Sequence, residues 1–327
     1  MALTRRALVP HAMGTMLLAG ATPRKGWAQP AWPQRTVTLL IPYPPGTGND
    51  LVGRVVANKL SELLPQRVVG DNRSGASGNI AVEAVRRASP DGHTLVVASV
   101  SFSMNPHTMR GVGYTPADFT PVAMIGALPF TLMVGKGVPA NSMAELVALL
   151  KARPDELHAA QGGSTGTTNF LLDAFKRAAG VEVTGIPYKG TSEGVLDLLA
   201  GRIQLMFAPI STALPPFRSG EVKVLGITGS TRAALLPEVP TFRELGLPTL
   251  DISTWFALVG PAGVPEQAVR VMSEATRRAL AAPEVVAALN NQGITPGYAP
   301  PEALAAFLRD DYARWHELVR QSGFTPQ

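Results

Sequence analysis

Pro42-Tyr43-Pro44-Pro45-Gly46-Thr47-Gly48-Asn49-Asp50 and Gln161-Gly162-Gly163-Ser164-Thr165-Gly166-Thr167-Thr168-Asn169 are the two stretches of this 327-residue chain best equipped to hold an anion. Each leads into a segment of helical period. A helix N-terminus carries unpaired backbone N–H groups and about half a positive charge. Glycine lets that backbone come close to a ligand, and hydroxyls complete the shell or fix a bridging water. Such a loop holds a carboxylate without an Arg or Lys partner. Ser164, Thr165, Thr167 and Thr168 stand out, because four hydroxyls beside three glycines exceed what a turn requires. The same composition also makes plain βα turns, so for either loop alone the turn reading stays open. Asp50 reads equally as a group that orients water or ligand and as a helix N-cap.

Other chemistries find less support. The chain has no cysteine, which excludes disulfides, zinc–thiolate sites, iron–sulfur clusters and a thiol nucleophile. Its five histidines are His11, His93, His107, His158 and His316, and no two stand two or four residues apart. There is no GxxxxGK[ST]. Gly46-Thr47-Gly48 begins a dinucleotide fingerprint, but Leu51 takes the third glycine's place. An enzyme would have to use Asp50 or Lys189 as acid or base; we expect no enzyme and no cofactor. His93, after Asp91-Gly92, is expected in solvent. His316 is expected at the surface or in packing, and Asp310-Asp311 on a solvated helix face. Trp255 is expected in hinge or core packing, and Phe170 in the core.

The elements that would carry the two loops alternate between strand and helix, which points to an α/β fold. Val37 to Ile41, Leu95 to Val100, Val183 to Ile186, Ile203 to Phe207 and Val222 to Ile227 read as buried strands. Leu51 to Leu64 reads as a helix with Asn49 or Asp50 as its cap. Further helices are expected over Ile80 to Arg87, Ser142 to Ala152, Phe170 to Ala179, Ser192 to Ala200, Glu266 to Ala281 and Pro301 to Gln321. Ser142 with Glu145 forms a capping-box pattern. The second half repeats the plan of the first: strand, glycine-rich loop, helix. The chain is expected to cross between two lobes near residues 121–130 and 250–260.

Residues 1–28 read as a cleaved signal peptide. Arg5 and Arg6 precede an apolar stretch, and Gly26-Trp27-Ala28 gives a small-x-small cleavage site. That stretch is too short for a permanent membrane span. The formal charge of +5 resides largely here; without these residues 25 basic face 24 acidic ones. The remaining surface gives no reason to invoke nucleic acid or an anionic membrane. Domain boundaries follow: signal peptide 1–28, first lobe 29–125 plus 255–327, second lobe 126–254. The expected location is the periplasm.

Six stretches give a resemblance: IPYPPGTGNDLVGRVVANKL at 41–60, DNRSGASGNIAVEAV at 71–85, SPDGHTLVVAS at 89–99, DFTPVAMIG at 118–126, IPYKGTSEGVLDLLAGRIQLMF at 186–207 and TWFALVGPAGVP at 254–265. In order and spacing they resemble the tripartite tricarboxylate transporter substrate-binding proteins, the Bug family, over nearly all of the chain after about residue 35. The resemblance implies a two-lobed periplasmic-binding-protein clamshell, here expected with a mainly parallel sheet in each lobe. It implies a monomer that closes on a small carboxylate and delivers it to the membrane permease subunits of a transporter. The same clamshell docked on a membrane histidine kinase would be a ligand-dependent sensor. By position, first-lobe contacts fall on Tyr43, Gly46, Thr47, Gly48 and Asp50, with Ser101. Second-lobe contacts fall on Gly163, Ser164, Thr165, Gly166, Thr167 and Thr168, and Tyr188 and Lys189 line the cleft. Two departures stand out. Family members often carry an acid, suited to a ligand amino group, where this chain has Ala208. They usually run the second loop into His-Leu, where this chain has Asn169-Phe170-Leu171. A dicarboxylate or a more apolar acid is therefore expected over an amino acid.

Overall fold

The computed structural model describes residues 32–154, 156–162, 167–188 and 191–326. The expected signal peptide, Gly163 to Gly166 and Lys189 lie outside the described residues. The elements run β1 (Val37–Ile41), α1 (Gly48–Leu63), β2 (Val68–Asn72), α2 (Asn79–Arg86), β3 (Thr94–Ser99), α3 (Ser101–Thr108), β4 (Phe119–Leu128) and β5 (Phe130–Gly135). There follow α4 (Met143–Ala152), β6 (His158–Gly162), α5 (Thr167–Ala179), β7 (Thr184–Tyr188), α6 (Thr191–Leu199), β8 (Leu205–Pro209), α7 (Ile210–Arg218) and β9 (Val222–Ile227). The chain ends with β10 (Thr254–Pro261), α8 (Glu266–Leu280), α9 (Pro283–Asn290), β11 (Thr295–Ala299) and α10 (Pro301–Ser322).

Two sheets result. The first has the order β11-β4-β10-β3-β1-β2 and the second β7-β6-β8-β5-β9. The two-sheet α/β architecture is the expected one, but both sheets are mixed rather than mainly parallel. The βαβ crossovers make β1 parallel to β2 and β3, and β6 parallel to β7 and β8. The strands on either side of a crossing enter from the other direction, so β10 runs antiparallel to β3 and β4, and β5 antiparallel to β8 and β9.

Only Pro129 separates β4 in the first sheet from β5 in the second, and the chain returns between β9 and β10. The two passages are laced together. Phe130 N–H donates to Thr228 Oγ1 at 2.9 Å, and Thr228 N–H donates to Phe130 O at 2.8 Å. The Thr228 and Ser253 hydroxyls lie 2.7 Å apart. Trp255, 2% exposed, donates from Nε1 to Asp311 Oδ2 at 2.8 Å, and Arg314 donates to the Asp251 carbonyl at 2.7 Å. Thus α10 is fastened to the second passage. It also packs on α3, β4 and α5, where the Phe170 and Trp315 rings meet edge to face at 5.2 Å.

Several expectations are corrected. Asp311 is buried, not on a solvated face, because it faces Trp255. His93 is buried under Trp32, and its Nε2 accepts from Gln34 N–H. Thr47 caps α1, rather than Asn49 or Asp50. Ser142 caps α4 as expected, but Glu145 reaches back to Asn141 N–H.

Candidate functional site

The first glycine-rich loop leaves β1 at its carboxyl end and turns into α1. Thr47 has extended backbone angles and its Oγ1 accepts from Asp50 N–H at 3.4 Å, while donating to Pro44 O at 2.8 Å. Such a cap is worth about 1 kcal/mol. Asp50 is 3% exposed and ties the loop together from inside. Its Oδ2 accepts from Gly46 N–H at 2.9 Å; its Oδ1 accepts from Arg54 Nε and Asn72 Nδ2, both at 2.8 Å. Asn72 Nδ2 also donates to Tyr43 O at 2.9 Å, and Asn72 Oδ1 accepts from Arg54 at 2.7 Å. Burial pushes the Asp50 carboxyl up, but the bonds from Gly46, Asn72 and Arg54 outweigh it and hold the group below the usual carboxylate range.

This wiring decides what remains for a ligand. Gly46 N–H is committed to Asp50, and Asp50 N–H to Thr47. Arg54, the cation of the turn, is committed to Asp50 and Asn72. The N–H groups of Gly48 and Asn49, at the positive end of a 16-residue helix, have no acceptor among the described residues. The Asn49 Nδ2 atom is buried without a hydrogen-bond partner. The turn therefore presents neutral donors, a set that suits an acceptor-only group such as a carboxylate.

Two neighbours complete the first-sheet side. Ser101 opens α3 directly after β3, the strand beside β1, and its hydroxyl lies 3.3 Å from that of Ser99. Gly75 to Gly78 form a turn with four successive positive φ angles, 133°, 46°, 52° and 90°. Its Ser77 carbonyl accepts from Tyr43 OH at 3.2 Å and from Asn105 Nδ2 at 3.1 Å. Tyr43 is thus spent on this turn. The glycines of 71–79 signal a turn in the sequence, but left-handed Ala76 and Ser77 have no such signal.

On the second sheet, Thr167 and Thr168 form the first residues of α5 and are half-buried. Phe170, two residues on, is 3% exposed and belongs to the core against Trp315. Tyr188 ends β7 in register with Gly162 of β6, but its OH donates to Asp197 Oδ2 on α6 at 2.7 Å. Asp197 also receives Arg202. Ala208, where an acid would stand, is fully buried in β8 and its carbonyl accepts from Thr131. Tyr43, Gly46, Thr47, Gly48 and Asp50 are therefore brought together in one turn next to Ser101, and Thr167 and Thr168 stand on the other sheet.

Comparison with known proteins gives a consistent picture. Residues 52–324 match the family model described as tripartite tricarboxylate transporter family receptor. Protein BugT of Bordetella pertussis is 34% identical over 295 residues, covering 89% of this chain and 90% of that protein. Among solved structures, an R. palustris protein with adipate is 33% identical, with TM-score 0.72, over 90% of this chain and 100% of its own. MatC from Rhodopseudomonas palustris with bound malate is 31% identical, with TM-score 0.68, over 88% of this chain and 100% of its own. A TctC solute-binding protein from Polaromonas without ligand is 28% identical but has TM-score 0.82, over 89% of this chain and 100% of its own.

Proposed function

This chain belongs to the tripartite tricarboxylate transporter receptor family, whose members are solute-binding receptors and not enzymes, and from that premise we propose that it captures a small dicarboxylate or apolar acid between two lobes. The lobes, expected as 29–125 plus 255–327 and 126–254, part at Pro129 and between β9 and β10. The acid is held between the α1 turn and the loop before α5, then delivered to the membrane subunits of a tripartite tricarboxylate transporter. The observation that carries the proposal is the pair of unclaimed amides, Gly48 and Asn49, at the start of α1. A carboxylate placed there gains charge-assisted hydrogen bonds and the helix end, and needs no cation.

Several findings support the class of ligand. Two relatives about a third identical were solved with adipate and with malate, both dicarboxylates. Ala208 offers no acid for an ammonium group. The overlay is closer on the ligand-free relative than on the two acid-bound ones, although its identity is lower. That supports an open resting arrangement which closes by bending at the laced passages, ligand favouring the form it touches from both sides. Export by the N-terminal segment to the periplasm is part of the same proposal. Among the described residues no helix is long and apolar enough to cross a membrane.

Thermal unfolding of residues 29–327 with adipate, malate and their dimethyl esters tests it. A ligand at 100 times its dissociation constant adds about 2.7 kcal/mol, so the midpoint should rise by several degrees at roughly 2–4 °C per kcal/mol. The acids should shift it and the esters should not. Protein refolded free of bound acids that responds to no di- or tricarboxylate would refute the proposal.

A further inference from the structure

We propose that Asn49 is a specificity-determining contact: its side-chain amide, together with the Gly48 and Asn49 N–H groups, donates to one carboxylate of the bound acid. This deepens the carboxylate reading above and rests on it. The buried stripe of α1 is Asn49, Val52 and Gly53, Val56 and Ala57, Leu60. Every member after Asn49 and Asp50 is apolar or glycine and faces the sheet. At Gly53 the helix lies so close that a Cβ would come within 2.7 Å of Ile41 Cδ1 and 3.4 Å of Val97 Cγ2. Asn49 is one turn earlier, about 6 Å further toward the helix start. There β1 has already ended and β3 is ending. Ser99 shares the face of Val97, two residues on, and its hydroxyl is paired with that of Ser101.

Asn49 therefore begins the buried stripe of α1 at the end of the helix that lies toward the carboxyl ends of β1 and β3. It is 9% exposed, and its Nδ2 has no hydrogen-bond partner. For packing alone an aliphatic side chain would serve better here, since a buried unpaired amide is destabilising. The unspent donor belongs to the residue that also carries one of the two unclaimed backbone amides. Three donors at a positive helix end match the two oxygens of a carboxylate. They repel an ammonium group, so an amino acid finds no seat for its amine at this end.

Asn49→Leu and Asn49→Asp separate this role from a structural one. The measurements are urea unfolding without acid and thermal titration with adipate and with malate. Removing an unpaired buried amide should leave Asn49→Leu at least as stable as the wild type in the absence of acid. Its affinity for the acid that binds the wild type should fall at least tenfold. Asn49→Asp, which sets an anion against the carboxylate, should fall further. A less stable Asn49→Leu protein, whatever its affinity, would mark a structural amide and overturn the assignment. An Asn49→Leu protein that binds as the wild type does would overturn it as well. A folded wild type that answers to neither acid, nor to the wider acid series, would instead bring down the carboxylate reading itself; that outcome is distinct because wild type and variants then behave alike.

Discussion

Asp311 sits inside the protein, 4% exposed, with the Trp255 indole on one oxygen and Arg314 4.0 Å from the other. Burial raises its carboxyl above the usual range; the Trp255 and Ser103 contacts and the Arg314 charge oppose this without cancelling it. An acid whose proton is held more tightly in the fold than in the unfolded chain costs stability as pH rises through that interval, and costs nothing below it. Asp311→Asn keeps an acceptor for Trp255 and removes the ionisation. The variant should match the wild type at about pH 3 and exceed it at about pH 7.5, as read by urea midpoints. Equal midpoints at both would show that Asp311 does not titrate differently in the fold. Little of this was legible in the sequence. Asp310-Asp311 looks like a solvated pair, because the partner that buries one of them is 56 residues away at Trp255. Asp50 was legible as a functional position but not in its role: spacing flags it as ligand or cap, whereas the structure spends it on Gly46, Arg54 and Asn72.

The turn from Gly75 to Gly78 shows what an element adds beyond its residues. Left-handed backbone costs a non-glycine residue about 1–2 kcal/mol, and here Ala76 and Ser77 both adopt it. Tyr43 and Asn105 hold the arrangement by the Ser77 carbonyl. Gly78 allows it to close, with a φ of 90° and space for no Cβ beyond 2.9 Å from Pro42. Gly78→Ala should lower stability by about 1–3 kcal/mol in urea unfolding and weaken acid binding by shifting Tyr43. An unchanged midpoint would mean that the turn yields freely. Strands made of β-branched runs, and helices with clear caps, were legible from sequence. α3 and α7 were not, because Pro106, Pro215 and Pro216 stand inside them. Nor was β11, whose sequence TPGYA has no apolar run. It pairs with β4 because Gly126 permits close approach: a Cβ there would sit 2.4 Å from Thr295 O.

Across the whole molecule the two passages at Pro129 and at 228–253 are bound to each other through Thr228 and to α10 through Asp251 and Trp255. Paired passages act as a common axis, so bending about it is the motion we expect on ligand capture. The absence of cysteine makes the motion measurable. Arg86→Cys on α2 and Leu196→Cys on α6 place unique labels beside the first and second sheets. Their distance should shorten when the binding acid is added and stay constant with its ester. A distance that does not respond to a bound acid would exclude closure between these helices. The position of β10 has a separate consequence, for how the chain comes into being. The second sheet is assembled from one continuous run, β5 to β9. The first sheet needs β10 between β3 and β4, where Thr254 pairs with Leu128 and Pro261 with Phe119. During synthesis, β3 and β4 must wait with unpaired edges until a strand made more than a hundred residues later arrives to join them. Contacts so distant in sequence form slowly, and open edges invite wrong partners. The half of the protein that is begun first is therefore the half that is finished last.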